Sequence, residues 1–389
     1  MKIAIFSESY LPYLNGVSIS IRILHEELTR RGYEVWIYAP RFRGHQDSYP
    51  TVRRLPSFYT PFEPDYPIAW LFAPRLWREF RTLGFDVVHT HTPFFTGMAG
   101  ASWARRLRIP LVSTYHTLYE EYLHYVPPIV PKSLVRRVLR WHLKRYYEGV
   151  DAVMTPSEIG AEVLRKYGIR KPITPIRNPV LPFPEVNKAE ARTQLGVPDD
   201  VWMLLYVGRM APEKNVSVLL KAMPHIVRGC PNARLWLVGP GPALDDLKAQ
   251  AEAMNLTEWV YFTGPVPRDE VSLYLLAADL FVFPSVTESQ GLVLDEAQAA
   301  GLPCIVANGG GAPEAVDYGQ TGLVVEPTPE AFVEAVLHLT RHPDEREALR
   351  QKAIRKRELL SVPSVVDRIL GVYQSAIALH AQGESARAG

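Results

Sequence analysis

Phe283-Pro-Ser-Val-Thr-Glu-Ser-Gln-Gly-Leu-Val-Leu-Asp-Glu296 is the stretch on which the fold turns. It follows the apolar run Leu280-Phe-Val-Phe283, whose length and bulk predict a buried strand. From Leu292 to Ala300 the apolar spacing becomes helical, and Gly301 stops it. Strand, loop and helix in this order are the unit of an open α/β sheet, which binds ligands at the carboxyl edge of its strands. Glu288 and Glu296 fall near that edge and early in the helix. Two acids there can hold hydroxyls, while the Gln290-Gly291 backbone can approach an anion at a helix N-terminus. The stretch suits a ligand carrying both hydroxyls and phosphate.

The same alternation extends in both directions. Lys2–Phe6, Glu34–Ala39, Asp86–His89, Leu111–Thr114 and Ala152–Thr155 read as strands of a first half. Trp202–Val207, Leu235–Val238, Val260–Phe262, Leu280–Phe283 and Cys304–Ala307 read as those of a second. Helical spacing fills most intervals, so each half predicts a mostly parallel sheet. At 389 residues the chain also exceeds the roughly 250–300 at which one core stops growing. The expected division is a first domain at 1–180, a proline-rich linker region at 181–200 and a second domain at 201–365. Residues 366–389 read as a terminal helix, able to cross back to the first domain, and a frayed tail. Pro172, Pro175, Pro179, Pro182 and Pro184 mark the extended connection. Two such domains imply a cleft between them, a common small-molecule site.

Composition narrows the partners. Lys+Arg of 43 against Asp+Glu of 41 leaves a net charge of +2, so no global field selects nucleic acid. Cys230 and Cys304 are too few and too separated for a disulfide framework and are expected to be reduced. The chain enters Ile3-Ala-Ile-Phe6 directly, a strand rather than a signal peptide, and no segment has the ~20 apolar residues of a membrane span. The loop after the first strand has one glycine, Gly16, and lacks G-x-G-x-x-G, which argues against a dinucleotide site.

Arg209 and Lys214, in Gly208-Arg-Met-Ala-Pro-Glu-Lys-Asn215, follow the first strand of the second half. A guanidinium fork and a mobile ammonium there can grip phosphate oxygens and stabilise a departing diphosphate. On charge alone they read equally as solvated loop cations. Glu288 and Glu296 do not by themselves make a glycosidase pair, because that chemistry needs carboxyls flanking one bond at a set distance. His89 and His91 alternate on a strand, but no neighbouring Cys, His, Asp or Glu completes a metal site. Lining an acceptor cleft or capping a strand end suits them better.

Gly208–Asn215 and Pro284–Gly301 together resemble the signatures of the family-4 group of retaining glycosyltransferases, over about residues 1–375. The resemblance implies two Rossmann-like domains facing across a cleft, the glycosyltransferase-B fold. It implies that Glu288 contacts donor-sugar hydroxyls, that Glu296 contacts the nucleotide ribose, and that Arg209 and Lys214 contact the diphosphate. Gln290, Gly291 and Leu292 would surround sugar and phosphate. Asn15-Gly16-Val17 matches the family's glycine loop near the diphosphate, with one glycine where many relatives have a pair. His116, closing Leu111-Val-Ser-Thr-Tyr-His116, corresponds to the active-site histidine near the transferred sugar. The family works without an essential metal or tightly bound cofactor; a nucleotide diphosphate sugar is the donor substrate.

For the acceptor, two segments stand out. Lys132, Arg136, Arg137, Arg140 and Lys144 form one stripe of a helix over Pro131–Tyr147, with Leu134, Val135, Val138, Leu139, Trp141 and Tyr146 largely opposite. Such a helix, Trp141 included, can contact anionic lipid or present a solvated basic face. Tyr59, Phe62, Tyr66 and Trp70 belong to an aromatic run that forms either an apolar acceptor channel or a cover over the first sheet. Tyr10-Leu-Pro-Tyr-Leu-Asn-Gly16, His89-Thr-His-Thr-Pro93 and Glu288-Ser-Gln-Gly291 resemble bacterial diacylglycerol glucosyltransferases and related glycolipid mannosyltransferases. That resemblance implies a cytoplasmic enzyme, peripheral on the inner membrane face, moving glucose from UDP-glucose to a diacylglycerol-type lipid with retention. GDP-mannose as donor, a soluble acceptor and a non-catalytic sugar-binding module are the alternatives.

Overall fold

The computed structural model describes residues 1–13, 15–60, 63–121 and 130–388. They form two compact units, Met1–Pro179 with Val362–Gly389, and Val180–Ser361.

The first unit carries β1 (Lys2–Phe6), β2 (Glu34–Pro40), β3 (Val52–Leu55), β4 (Ser57–Thr60), β5 (Glu63–Ala69), β6 (Val87–Thr90), β7 (Leu111–Thr114), β8 (Ala152–Thr155) and β9 (Ile173–Pro175). Seven form one sheet in the order β3-β2-β1-β6-β7-β8-β9, and β4 and β5 pair apart from it. Every pairing in the large sheet is parallel. Side chains of β1 alternate between two cores. Ile3 and Ile5 pack with Ile21, Leu24 and Val366, while Ala4 and Phe6 join Tyr38, Phe80 and Trp103 on the other face. A sheet covered on both faces explains why β1 reads as a continuous apolar run.

Part of that cover is the terminal helix Val362–Ala388, whose Val366, Leu370 and Tyr373 recur at helical spacing and are buried. Arg31 pairs with its Asp367. The segment expected to fray beyond His380 is helical through Ala388.

The second unit contains β10 (Trp202–Val207), β11 (Ala233–Val238), β12 (Val260–Gly264), β13 (Leu280–Phe283), β14 (Cys304–Ala307) and β15 (Gly322–Val325), ordered β12-β11-β10-β13-β14-β15. Residues 181–200, expected as a linker, are partly helical: Lys188–Leu195 is a helix whose Ala191 is buried in this unit's core. Asn187 and Glu190 form a reciprocal capping box that starts it. Buried Arg192 donates to Asp279 at 2.6 Å, fastening the helix beside β13.

In each sheet the first strand lies between the second and a later one, so the winding reverses beside it. These switch points open crevices at the carboxyl ends of the strands: after β1 and β6 in the first unit, after β10 and β13 in the second. Among the described residues no helix is long and apolar enough to cross a membrane.

Candidate functional site

The second unit brings its sequence-derived residues to its switch point. Lys214 lies in the turn after β10 and Glu288 in the loop after β13. The Lys214 Nζ donates to Glu288 Oε1 at 2.5 Å, with both side chains largely buried. Arg209 is exposed, and its guanidinium has no acidic partner among the described residues. Tyr206, buried in β10, donates its hydroxyl to the Arg209 carbonyl at 3.2 Å and pins the start of the loop. Burial pushes that phenol far above its ordinary value, with Glu288 and Glu213 adding to the rise.

Gly291 takes a left-handed conformation (φ 72°) and begins the helix Leu292–Ala299. Buried Gln290 turns inward and donates to Asp295 at 2.5 Å, so its side chain supports the loop. Glu296 is buried and paired with Arg268, the first residue of the crossover helix Arg268–Ala277. Its Oε2 has no hydrogen-bond partner among the described residues. Sequence reading missed Arg268, for no local signal joins positions so far apart. It also missed Gly309-Gly310-Gly311, although a glycine triplet beyond a strand is visible in sequence. The Gly311 N–H donates to the Glu288 carbonyl at 2.7 Å. A Cβ on Gly310 would stand 2.6 Å from that oxygen, so only glycine lets this loop brace Glu288.

In the first unit, His89, His91 and His116 form a buried row. His89 lies between Tyr373 and Thr114, at 2.7 Å from each hydroxyl. It is a tie between β6 and the terminal helix, not the lining of a cleft. His91 Nδ1 and His116 Nε2 are 2.8 Å apart. His91 Nε2 is buried without a partner among the described residues. An orphaned lone pair costs less than an orphaned N–H, so the proton belongs on His91 Nδ1 and His116 accepts it at Nε2. His116 then carries its own proton on Nδ1. Desolvation holds His89 down to about 3 and His116 to about 4, and keeps His91 well below its ordinary value.

Glu8, just beyond β1, was not singled out in sequence, although an acid at a strand's carboxyl edge was the available signal. Its Oε1 accepts the Thr96 N–H at 3.2 Å, and desolvation nevertheless lifts the carboxyl to about 7. Gly16 is the first residue of the helix Gly16–Arg30, capped by Asn15, and a Cβ there would meet nothing within 4 Å.

The aromatic run divides. Tyr66 lines a cavity beside Glu8 and sets its ring edge-on to Tyr13. Tyr59 lies under Arg43, and Trp70 is exposed against Phe58. Phe62 lies outside the described residues. The helix Lys132–Tyr147 splits the apolar set that the sequence places largely opposite the basic stripe, since not all of it packs inward. Leu143, Tyr146 and Tyr147 are buried, whereas Leu134, Val138 and Trp141 are 55%, 54% and 63% exposed. Lys132, Arg136, Arg137, Arg140 and Lys144 are exposed too, and Arg136 and Arg140 both engage Glu120. Sequence periodicity marks two faces but cannot say which one the protein covers. Among the described residues no group of three or more His, Cys, Asp or Glu is placed to hold a metal.

Two parallel α/β units, each with its switch point beside the first strand, are the glycosyltransferase-B fold. Residues 14–181 match the family described as Glycosyltransferase Family 4, and residues 187–356 that described as Glycosyl transferases group 1. The chain belongs to this glycosyltransferase family and is a nucleotide-sugar-dependent hexosyltransferase. It is 33% identical to the alpha-monoglucosyldiacylglycerol synthase of Streptococcus pneumoniae, over 79% of this chain and 71% of that one. It is 31% identical to the enzyme of that name from Acholeplasma laidlawii, over 88% and 89%. It is also 31% identical to a GDP-mannose-dependent alpha-mannosyltransferase of Mycobacterium tuberculosis, over 96% and 97%. The fold is shared with sucrose-phosphate synthase from Thermosynechococcus elongatus (TM-score 0.77, 22% identity, 97% of this chain and 99% of that one).

Proposed function

We propose that this glycosyltransferase moves glucose from UDP-glucose to the free hydroxyl of a diacylglycerol-type lipid, with retention, giving an α-glycolipid. The observation that carries the donor half is the gathering of Arg209, Lys214 and Glu288 at the second unit's switch point. Lys214 and Arg209 supply positive charge where a departing diphosphate gains negative charge. Glu288, held by Lys214 and braced by Gly311, orients the hexose, and Glu296 takes the ribose hydroxyls. Gly16 leaves open space at the other candidate contact with the diphosphate. The leaving phosphate accepts the proton of the incoming hydroxyl as the new glycosidic bond forms on the same face, so no protein nucleophile is needed. His116, neutral and donating from Nδ1, serves the transferred sugar.

The acceptor half is supported by the diacylglycerol glucosyltransferase relatives and by the exposed aromatic and basic surfaces of the first unit. Lys132, Arg137 and Lys144, beside exposed Leu134, Val138 and Trp141, suit peripheral contact with anionic lipid at the cytoplasmic face. A panel of UDP-glucose, UDP-galactose and GDP-mannose against liposomal diacylglycerol and soluble sugars tests the reading, with the product's anomeric configuration read by NMR. Transfer confined to soluble sugars defeats the lipid assignment, and a preference for GDP-mannose replaces the donor.

A further inference from the structure

Two apolar hollows lie in line along the helix Phe95–Leu107 of the first unit. The smaller, about 200 Å³, is lined by Glu8, Thr60, Tyr66, Ile68, Phe94 and Phe95. The larger, about 450 Å³, is lined mainly by Leu71, Phe72, Trp77 and Met98, with Ser102 and Arg106 also in its wall. Phe95 and Met98 are neighbours on one helix face, and Ile68 and Leu71 are close in the facing segment, so the two hollows lie side by side along that helix. In the smaller, Glu8 is the acidic group, with Oε1 taken by the Thr96 N–H and Oε2 without a bond among the described residues. The titratable groups that face Glu8 are the phenols of Tyr66, Tyr119 and Tyr146.

A hollow of apolar side chains with one carboxyl and the hydroxyls of Thr60 and Tyr66 fits a ligand that is hydrocarbon except for a hydroxyl-bearing end. About 200 Å³ holds a glycerol unit and the first chain carbons but not whole acyl tails. The adjoining hollow, edged by Leu71, Phe72 and Met98 at 46%, 72% and 41% exposure, gives the tails a path towards solvent or lipid. We infer that these two hollows form the acceptor subsite, with the Glu8 carboxyl bonding the free hydroxyl of a diacylglycerol and the Met98 groove taking its acyl chains. The inference rests on the lipid-acceptor reading above and names the residues that serve it. A carboxyl titrating near neutrality is protonated below that point, when it both donates to and accepts from an alcohol. Its ionisation at higher pH removes the donor and adds a charge facing hydrocarbon.

The test measures transfer from UDP-glucose to 1,2-dioctanoylglycerol in mixed micelles, with UDP affinity measured separately by calorimetry. Glu8→Ala is expected to raise the acceptor KM at least tenfold while leaving the UDP Kd within twofold. Glu8→Gln, which keeps a donor and an acceptor, should stay near the original KM at pH 6 and lose the rise in KM above pH 7. Met98→Asp, at an exposed position, should lower kcat/KM for dioctanoylglycerol at least tenfold without moving the UDP Kd. Acceptor KM within twofold of the unaltered enzyme in all three variants, with that enzyme active on diacylglycerol, overturns the subsite alone. Equal loss of UDP affinity also overturns it, since the effect would not be confined to the acceptor. An unaltered enzyme inactive on diacylglycerol but active on a soluble sugar sinks the lipid reading and the subsite together.

Discussion

Replacing Glu8 by glutamine removes an ionisation that the fold resists, and the size of the effect follows from the carboxyl's surroundings. Desolvation moves it from an ordinary 4.5 to about 7, against the Thr96 N–H, which favours the charged form. Below 4.5 the carboxyl is protonated in folded and unfolded chains alike and costs nothing. Above it the unfolded chain ionises first, so stability is lost as pH rises, until the folded carboxyl also ionises near 7. At ~1.4 kcal/mol per tenfold, the full gap is worth about 3 kcal/mol at pH 8 and about 1 kcal/mol at pH 5.

Glutamine has the same shape, accepts the Thr96 N–H and never ionises. Glu8→Gln should therefore stabilise the first unit by about 3 kcal/mol at pH 8, roughly 6–12 °C in Tm for a unit of this size. At pH 5 the gain should shrink to about a third of that. Differential scanning calorimetry of both proteins at the two pH values reads this directly. The buried histidines are common to both proteins and cancel in the difference. An identical Tm difference at pH 5 and pH 8, or destabilisation at pH 8, would refute the claim that Glu8 is held in a desolvating site.

Four further outcomes follow from the geometry. Lys214→Ala should cut kcat/KM about 100-fold or more with an unchanged melting curve, and near-normal steady-state kinetics would remove the lysine from phosphate stabilisation. Gly310→Ala places a Cβ 2.6 Å from the Glu288 carbonyl and should lower donor turnover about tenfold or more, so unaltered kinetics would show that Glu288 needs no brace. Leu134→Asp with Trp141→Asp should weaken binding to anionic vesicles at least tenfold, and unchanged co-sedimentation would take this helix off the membrane. Histidine NMR should find His89 and His116 still neutral at pH 5, since their depressed values, about 3 and 4, delay protonation; resonances titrating near 6.5 would contradict the buried row.

Much of the fold is legible in the chain because its central strands are continuous apolar runs. Trp202–Val207, Leu280–Phe283, Cys304–Ala307, Leu111–Thr114 and Ala152–Thr155 have the bounds that sequence reading assigns. The strands it does not assign are short or lie outside the sheet centres. β3 carries Arg53 and Arg54, β9 ends in a proline, and β4 and β5 pair only with each other. Of the site, the residues after β10 and β13 are legible through spacing and resemblance. The contacts that make them a site are not, because Arg268 meets Glu296 and Gly311 meets Glu288 only through the sheet's winding. Glu8 hid for another reason. An acid in sequence carries no mark of whether water reaches it.

The spacing of Glu288 and Glu296 invites a hydrolase reading, in which two carboxyls flank one bond and divide acid and base between them. The structure argues otherwise through the partners. Glu288 is held by Lys214 from the loop after β10, and Glu296 by Arg268 from the crossover helix that follows β12. Each acid thus has its own cation from a different element, an arrangement of two separate ion pairs rather than of two acids sharing one proton. Arg209 is the cation left over, exposed and without an acid among the described residues. It stands beside the Lys214–Glu288 pair in the loop after β10, and an exposed guanidinium there is the kind of group that grips a diphosphate. The separate partnering of the two acids, rather than their spacing in sequence, is what argues against a hydrolytic pair.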